Sequence, residues 1–200
     1  MQNTHFILIL FFLLQLSNTK LLAQNDSLND ISYYLDDDRG ISDGRNLVKI
    51  NFLSIINGDI PVYYERILSK SIGIEVGVGL LLPYYCFEIS NLFSEDTKIE
   101  NPDYGYSLWI QPKYYFQQKA PELNYFGIQL RQRNYNQDNQ TIVFTDLTIN
   151  LGLQFIIRKR IIFDYNVGVG CRFINEKSAD INKSFGGLAI PTAFKLGYIL

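Results

Sequence analysis

One histidine and two cysteines are all that this 200-residue chain offers from the residues that most often ligate metals or activate nucleophiles. The histidine is His5. The cysteines, Cys86 and Cys171, stand alone, with no metal-ligand spacing around either, and two free thiols are the expected state. Beyond the first residues there is no imidazole for general-base work at neutral pH. No serine stands in a nucleophile-elbow setting. Catalysis, a metal and an organic cofactor are therefore not expected. Charge is also sparse and balanced, 18 basic residues against 20 acidic ones for a net −2, which gives no basic footprint for a nucleic acid. Past residue 23 no run reaches the ~18 apolar residues of a membrane-crossing helix.

What is plentiful is aromatic and alternating sequence, with fourteen Tyr and fourteen Phe against one Trp. Residues 141 to 172 read TIVFTDLTINLGLQFIIRKRIIFDYNVGVGCR. In its first half Val143, Thr145, Leu147, Ile149, Leu151, Leu153, Phe155 and Ile157 alternate with Phe144, Asp146, Thr148, Asn150, Gly152 and Gln154. Strict alternation puts one set on each face of an extended strand. Arg158, Lys159 and Arg160 then turn the chain, and Phe163, Tyr165, Val167, Val169 and Cys171 alternate with Asp164, Asn166, Gly168, Gly170 and Arg172. These strands are about twice the length usual in a soluble sandwich. A continuous apolar face opposed to a polar one suits a membrane-spanning barrel strand.

The same pattern predicts strands over residues 46–56, 61–68, 71–82, 104–116, 123–134 and 188–200, making eight in all. Residues 83–103 and 175–187 are the long loops; 117–122, 135–140 and 158–160 are short links. Alternating short turns and long loops is the pattern of outer-membrane barrels. Ahead of them, residues 1–23 read as a secretory signal peptide, with an apolar run at 6–16 and small Ala23 before Gln24. Residues 24–45 read as a polar periplasmic lead-in with room for a short helix on Leu28, Ile31 and Leu35. Its acidic Asp36, Asp37, Asp38 and Asp43 lack the spacing of a calcium loop and read as a solvated linker.

The first hairpin VKINFLSIINGDIPVYYERIL, the glycine-alternating third strand and the final AFKLGYIL resemble the small outer-membrane barrels of the OmpA-like superfamily. The resemblance covers residues 46–200. It implies an all-β, eight-stranded, antiparallel, up-and-down transmembrane barrel, without the periplasmic peptidoglycan-binding domain of longer relatives. One departure is aliphatic Leu200 at the end, with Tyr198 two residues earlier, where such proteins usually finish on an aromatic.

If the apolar faces look outward, ten charged residues share the interior. Lys49, Glu65, Glu75, Lys113, Asp164 and Lys195 fall toward the periplasmic end, three cations with three anions. Arg131, Arg133, Asp146 and Arg172 fall toward the outer end. An eight-stranded barrel is just wide enough for side chains to fill it. The expectation is a lumen plugged by ion pairs, since buried charges must pair. The function expected is non-enzymatic, structural or through loops 83–103 and 175–187 toward an envelope or extracellular protein, with outer-membrane lipid around the barrel. Two alternatives stand: a soluble lipocalin-like barrel, which needs an apolar interior, and a narrow pore.

Overall fold

The alternating stretch forms two strands paired from Thr141↔Lys177 down to Ile157↔Ile161. In the first of them Phe144, Asp146, Thr148, Asn150 and Gln154 are buried, while Leu147, Ile149 and Leu151 are about half exposed. The structure, a computed structural model, describes residues 45–83, 103–137, 140–157, 160–177 and 182–200. The segment expected as a signal peptide, the expected lead-in up to residue 44, Cys86 and residues 84–102 of the expected loop lie outside those residues.

In chain order the elements are β1 Asn46–Asn51, α1 Phe52–Ile56, β2 Asp59–Ile67, β3 Ile72–Leu81, β4 Gly105–Tyr115 and β5 Leu123–Gln137. Then come β6 Gln140–Ile157, β7 Ile161–Lys177, β8 Asn182–Ala189 and β9 Thr192–Ile199. Neighbours pair antiparallel from β1 through β7, and the ring closes through β7–β9 and β9–β1. β8 and β9 keep one register against β7, from Lys177↔Asn182 to Ile161↔Tyr198, so they are two halves of one eighth strand. The chain folds as a closed eight-stranded antiparallel β-barrel.

The stagger follows from the pairings. Starting at Tyr198 and stepping through direct partners Val48, Tyr64, Val76, Ile110, Leu130, Leu147 and Cys171, one circuit returns to the eighth strand at Leu188. That is ten residues from its starting point, so the strands tilt strongly, in the usual range of about 35–45°. The ten residues of β3 extend about 33 Å. At a tilt of about 45° they rise about 23 Å. Glycines let the interior fill: a Cβ on Gly77 would meet the Tyr63 ring, and one on Gly152 the Tyr125 ring.

Four expectations are corrected. The first strand ends at Asn51, and 52–56 is one turn of helix rather than strand. Its residues Phe52, Leu53, Ile55 and Ile56 do not alternate with polar ones, and Asn51 caps it by accepting from Leu53 N–H at 3.2 Å. The loop expected over 175–187 is mostly hairpin, with strand to Lys177 and again from Asn182. Likewise the link expected at 135–140 is strand up to Gln137 and from Gln140. The final strand begins earlier than Leu188 and is interrupted at Ile190 and Pro191, where proline has no N–H for a ladder.

Candidate functional site

Strand alternation sends two layers of charge into the barrel. In the layer near the chain ends, Lys49 Nζ contacts Glu65, Glu75 (3.1 Å) and Asp164 (2.7 Å). Lys113 Nζ contacts the same three carboxylates, at 3.0 Å from Glu65, 2.8 Å from Glu75 and 3.0 Å from Asp164. Lys195 contacts Glu75. All six side chains are at most 2 % exposed. Glu65 and Glu75 are direct cross-strand partners, a repulsive placement on its own. The two lysines bridging them reverse its sign.

Phenols and an amide complete this layer. Tyr115 donates to Glu65, Tyr125 donates to Asp164 at 2.7 Å, and Lys49 donates to Gln154 at 2.9 Å. Lys113 stands 4.5 Å from the Tyr125 ring and Lys195 4.3 Å from the Tyr63 ring, each in cation–π range. The carboxylates of Glu65, Glu75 and Asp164 lie within 4.8 Å of one another, a grouping that suits a divalent cation. Here the balancing charge comes from Lys49, Lys113 and Lys195, which answer three anions with three cations.

The second layer lies toward the hairpin tips. Arg131 donates to Asp59 at 2.9 Å, and Ser107 donates to the other oxygen of Asp59 at 2.9 Å. Asp146 accepts from Arg133 at 3.0 Å and from Arg172 at 2.7 and 3.1 Å, the two-nitrogen grip that guanidinium geometry favours. Arg133 and Arg172 also stack within 5.3 and 5.6 Å of the Phe144 ring, and Arg131 within 4.9 Å of Trp109. Between the layers, Thr148, Asn150 and Gln129 form a neutral hydrogen-bonded rung.

Thus all ten charged residues singled out from the sequence lie inside, six in one layer and four in the other, with Arg131 partly exposed. One member was missed. Asp59 reads as turn chemistry after Asn57 and Gly58, yet it opens β2 and is buried. Its signal is parity, because Asp59, Pro61, Tyr63 and Glu65 share one face across the proline.

A cavity of about 190 Å³ opens beside the second layer. It is lined by α1 (Leu53, Ser54, Ile56), by the interrupted eighth strand (Ile190, Pro191, Thr192), and on its inner side by Arg131, Asp146 and Arg172. A larger and more open depression lies outside, around Tyr104, Tyr106 and Asn134.

The outer face is the inverse of the inner one. Among the strand side chains that the structure describes, Arg66 is the one charged residue on the outward set. Ile60, Val62, Ile72, Val76, Val78, Leu80, Leu108, Ile110, Ile128, Leu130, Leu147, Ile149, Leu151 and Val169 are all exposed. Aromatics flank this band, with Tyr64, Tyr114, Phe116 and Tyr198 toward the chain ends and Tyr104, Tyr106 and Phe173 toward the tips. Cys171 is a free, exposed thiol on that face. Ion-paired across its width, the interior carries nearly all the charge of the described strands. No protein-family model, curated protein or solved structure matches the chain.

Proposed function

We propose that the chain is a non-enzymatic outer-membrane barrel with a plugged lumen, serving a structural role in the envelope or presenting its outer hairpins to a protein partner. The observation that carries this reading is the inversion of polarity: charge on the axis, hydrocarbon on the perimeter. An exposed apolar belt of this extent favours a lipid surround over water. The rise of β3, about 23 Å, agrees with the ~25 Å apolar band of outer-membrane barrels. Girdles of Tyr and Phe above and below fit the two interfaces. The paired interior speaks against a container for apolar ligands, and the two ionic layers speak against a conducting pore. On this reading the strand ends at Leu81, Gly105, Gln137, Gln140, Lys177 and Asn182 lie on the outer side.

Heat modifiability tests it. Protein extracted from membranes is expected to need detergent, and to migrate differently on a gel when unboiled and boiled. Full solubility in buffer with a single boiled-like band contradicts it.

A further inference from the structure

The barrel wall has a seam that pairing does not close. β1 bonds β9 only over Lys195–Ile199, although the eighth strand begins at Asn182. Among the described residues no strand pairs with the opposite edge of residues 182–194. The place of β1 is taken by α1, which contacts both β9 and β2. At about 10 Å across, one helix fills the width of a missing strand, two spacings of about 4.8 Å. A slot of about 190 Å³ lies between α1 and the break at Ile190 and Pro191.

The edge groups confirm where the slot leads. Gly168 N–H donates to the Pro191 carbonyl at 2.9 Å, so Pro191 faces β7. Phe194 N–H donates to the Asn51 side chain at 3.1 Å, so even-numbered residues face the seam. Ile190 and Thr192 thus aim their backbone groups at the slot, and both line the 190 Å³ cavity. In hydrocarbon an unmet strand edge costs several kcal/mol per group, so a polar occupant is favoured there. Around its mouth the cavity presents Leu53, Ile56, Ile190 and Pro191; Phe52 and Ile56 of α1 point outward and are exposed. Of its charged lining residues, Arg131 and Arg172 are positive and Asp146 is negative.

We infer that this slot is a lateral binding site for the anionic head group of a single-chain amphiphile, entering from the bilayer between α1 and the eighth strand. About 190 Å³ corresponds to about six water-sized groups, enough for a carboxylate or phosphate head but not for its chain. The chain stays outside along the apolar wall, while the head enters a lining whose two guanidiniums and one carboxylate leave one positive charge in excess. The inference deepens the membrane reading and rests on it for the source of the ligand.

Trp109, the single tryptophan of the chain, stacks on Arg131 and reports occupancy by its fluorescence. Detergent-solubilised full-length protein is titrated with laurate, dodecyl phosphate, dodecyltrimethylammonium and inorganic phosphate. Saturable changes with laurate or dodecyl phosphate, at least tenfold weaker with the other two, support the site; the tighter of the two tells a carboxylate source from a phosphate one. Arg172→Gln and, independently, Thr192→Leu, which narrows the slot without touching a charge, are each expected to weaken binding at least tenfold. No saturable response, an equal response to the cationic chain or to bare phosphate, or full binding by Thr192→Leu overturns it. Heat modifiability is measured on the same sample. A heat-modifiable barrel that binds nothing sinks the site alone, whereas a buffer-soluble protein that binds sinks the membrane reading alone.

Discussion

Lys113 on β4 and Asp164 on β7 meet at 3.0 Å across the barrel interior, from strands separated by β5 and β6. Neither has water to fall back on, since both are essentially fully buried. Such a contact fastens opposite walls together, and its worth lies in completeness: three cations and three anions close one neutral layer. Removing one member leaves a buried charge uncompensated, at a cost of about 3–5 kcal/mol.

Lys113→Met and Asp164→Leu are therefore each expected to lower unfolding stability by about 3–5 kcal/mol, and the double variant by much less than the sum. Urea unfolding in micelles, followed by the unboiled gel band, measures all three. Strict additivity contradicts a coupled layer.

The glycines divide by what lies over them. A Cβ at Gly168 would sit 2.7 Å from the Ile149 carbonyl oxygen and closer still to the Asn150 side chain, whereas at Gly187 nothing lies within 4 Å. Gly168→Ala is expected to cost about 1–3 kcal/mol through overpacking. Gly187→Ala is expected to be near neutral. Equal effects in the same urea assay contradict the register.

Asn51 joins helix, strand and seam. Its side chain accepts from Leu53 N–H and Phe194 N–H and donates to Ser54 at 2.6 Å. Asn51→Ala is expected to cost about 1–2 kcal/mol and to speed hydrogen exchange at Phe194 selectively. Uniform exchange changes around the barrel contradict this role.

Two ionic layers lie across the axis, and the proposed function has them block it. In planar bilayers the purified protein is expected to give no single-channel steps in 1 M salt, and steady steps contradict a plugged lumen.

Most of this architecture was legible in the sequence because period-two alternation carries it. Once Leu147 and Ile149 are placed outside, Asp146, Gln154 and Asp164 must be inside, and neighbouring strands inherit the rule. Legibility failed where alternation lapses. Phe52 to Ile56 is apolar without period, and only the capping of Asn51 betrays a helix. Residues 175–177 and 182–187 read as a loop because their sequence is turn-rich and polar, yet backbone pairing with a neighbour extends strands past the apolar band. Asp59 was hidden behind a proline at the start of its strand. The slot beside Pro191 could not be read at all, since it arises from the unequal lengths of β1 and the eighth strand.

The polarity of the wall is open to direct measurement at Cys171, whose outward neighbours are Val169, Phe173 and, across the pair, Leu147. In a Cys86→Ser background, a nitroxide at Cys171 in lipid vesicles is read by power saturation against oxygen and against a water-soluble nickel chelate. High oxygen accessibility with little chelate accessibility is the predicted result. Chelate accessibility exceeding that of oxygen contradicts a hydrocarbon-facing wall.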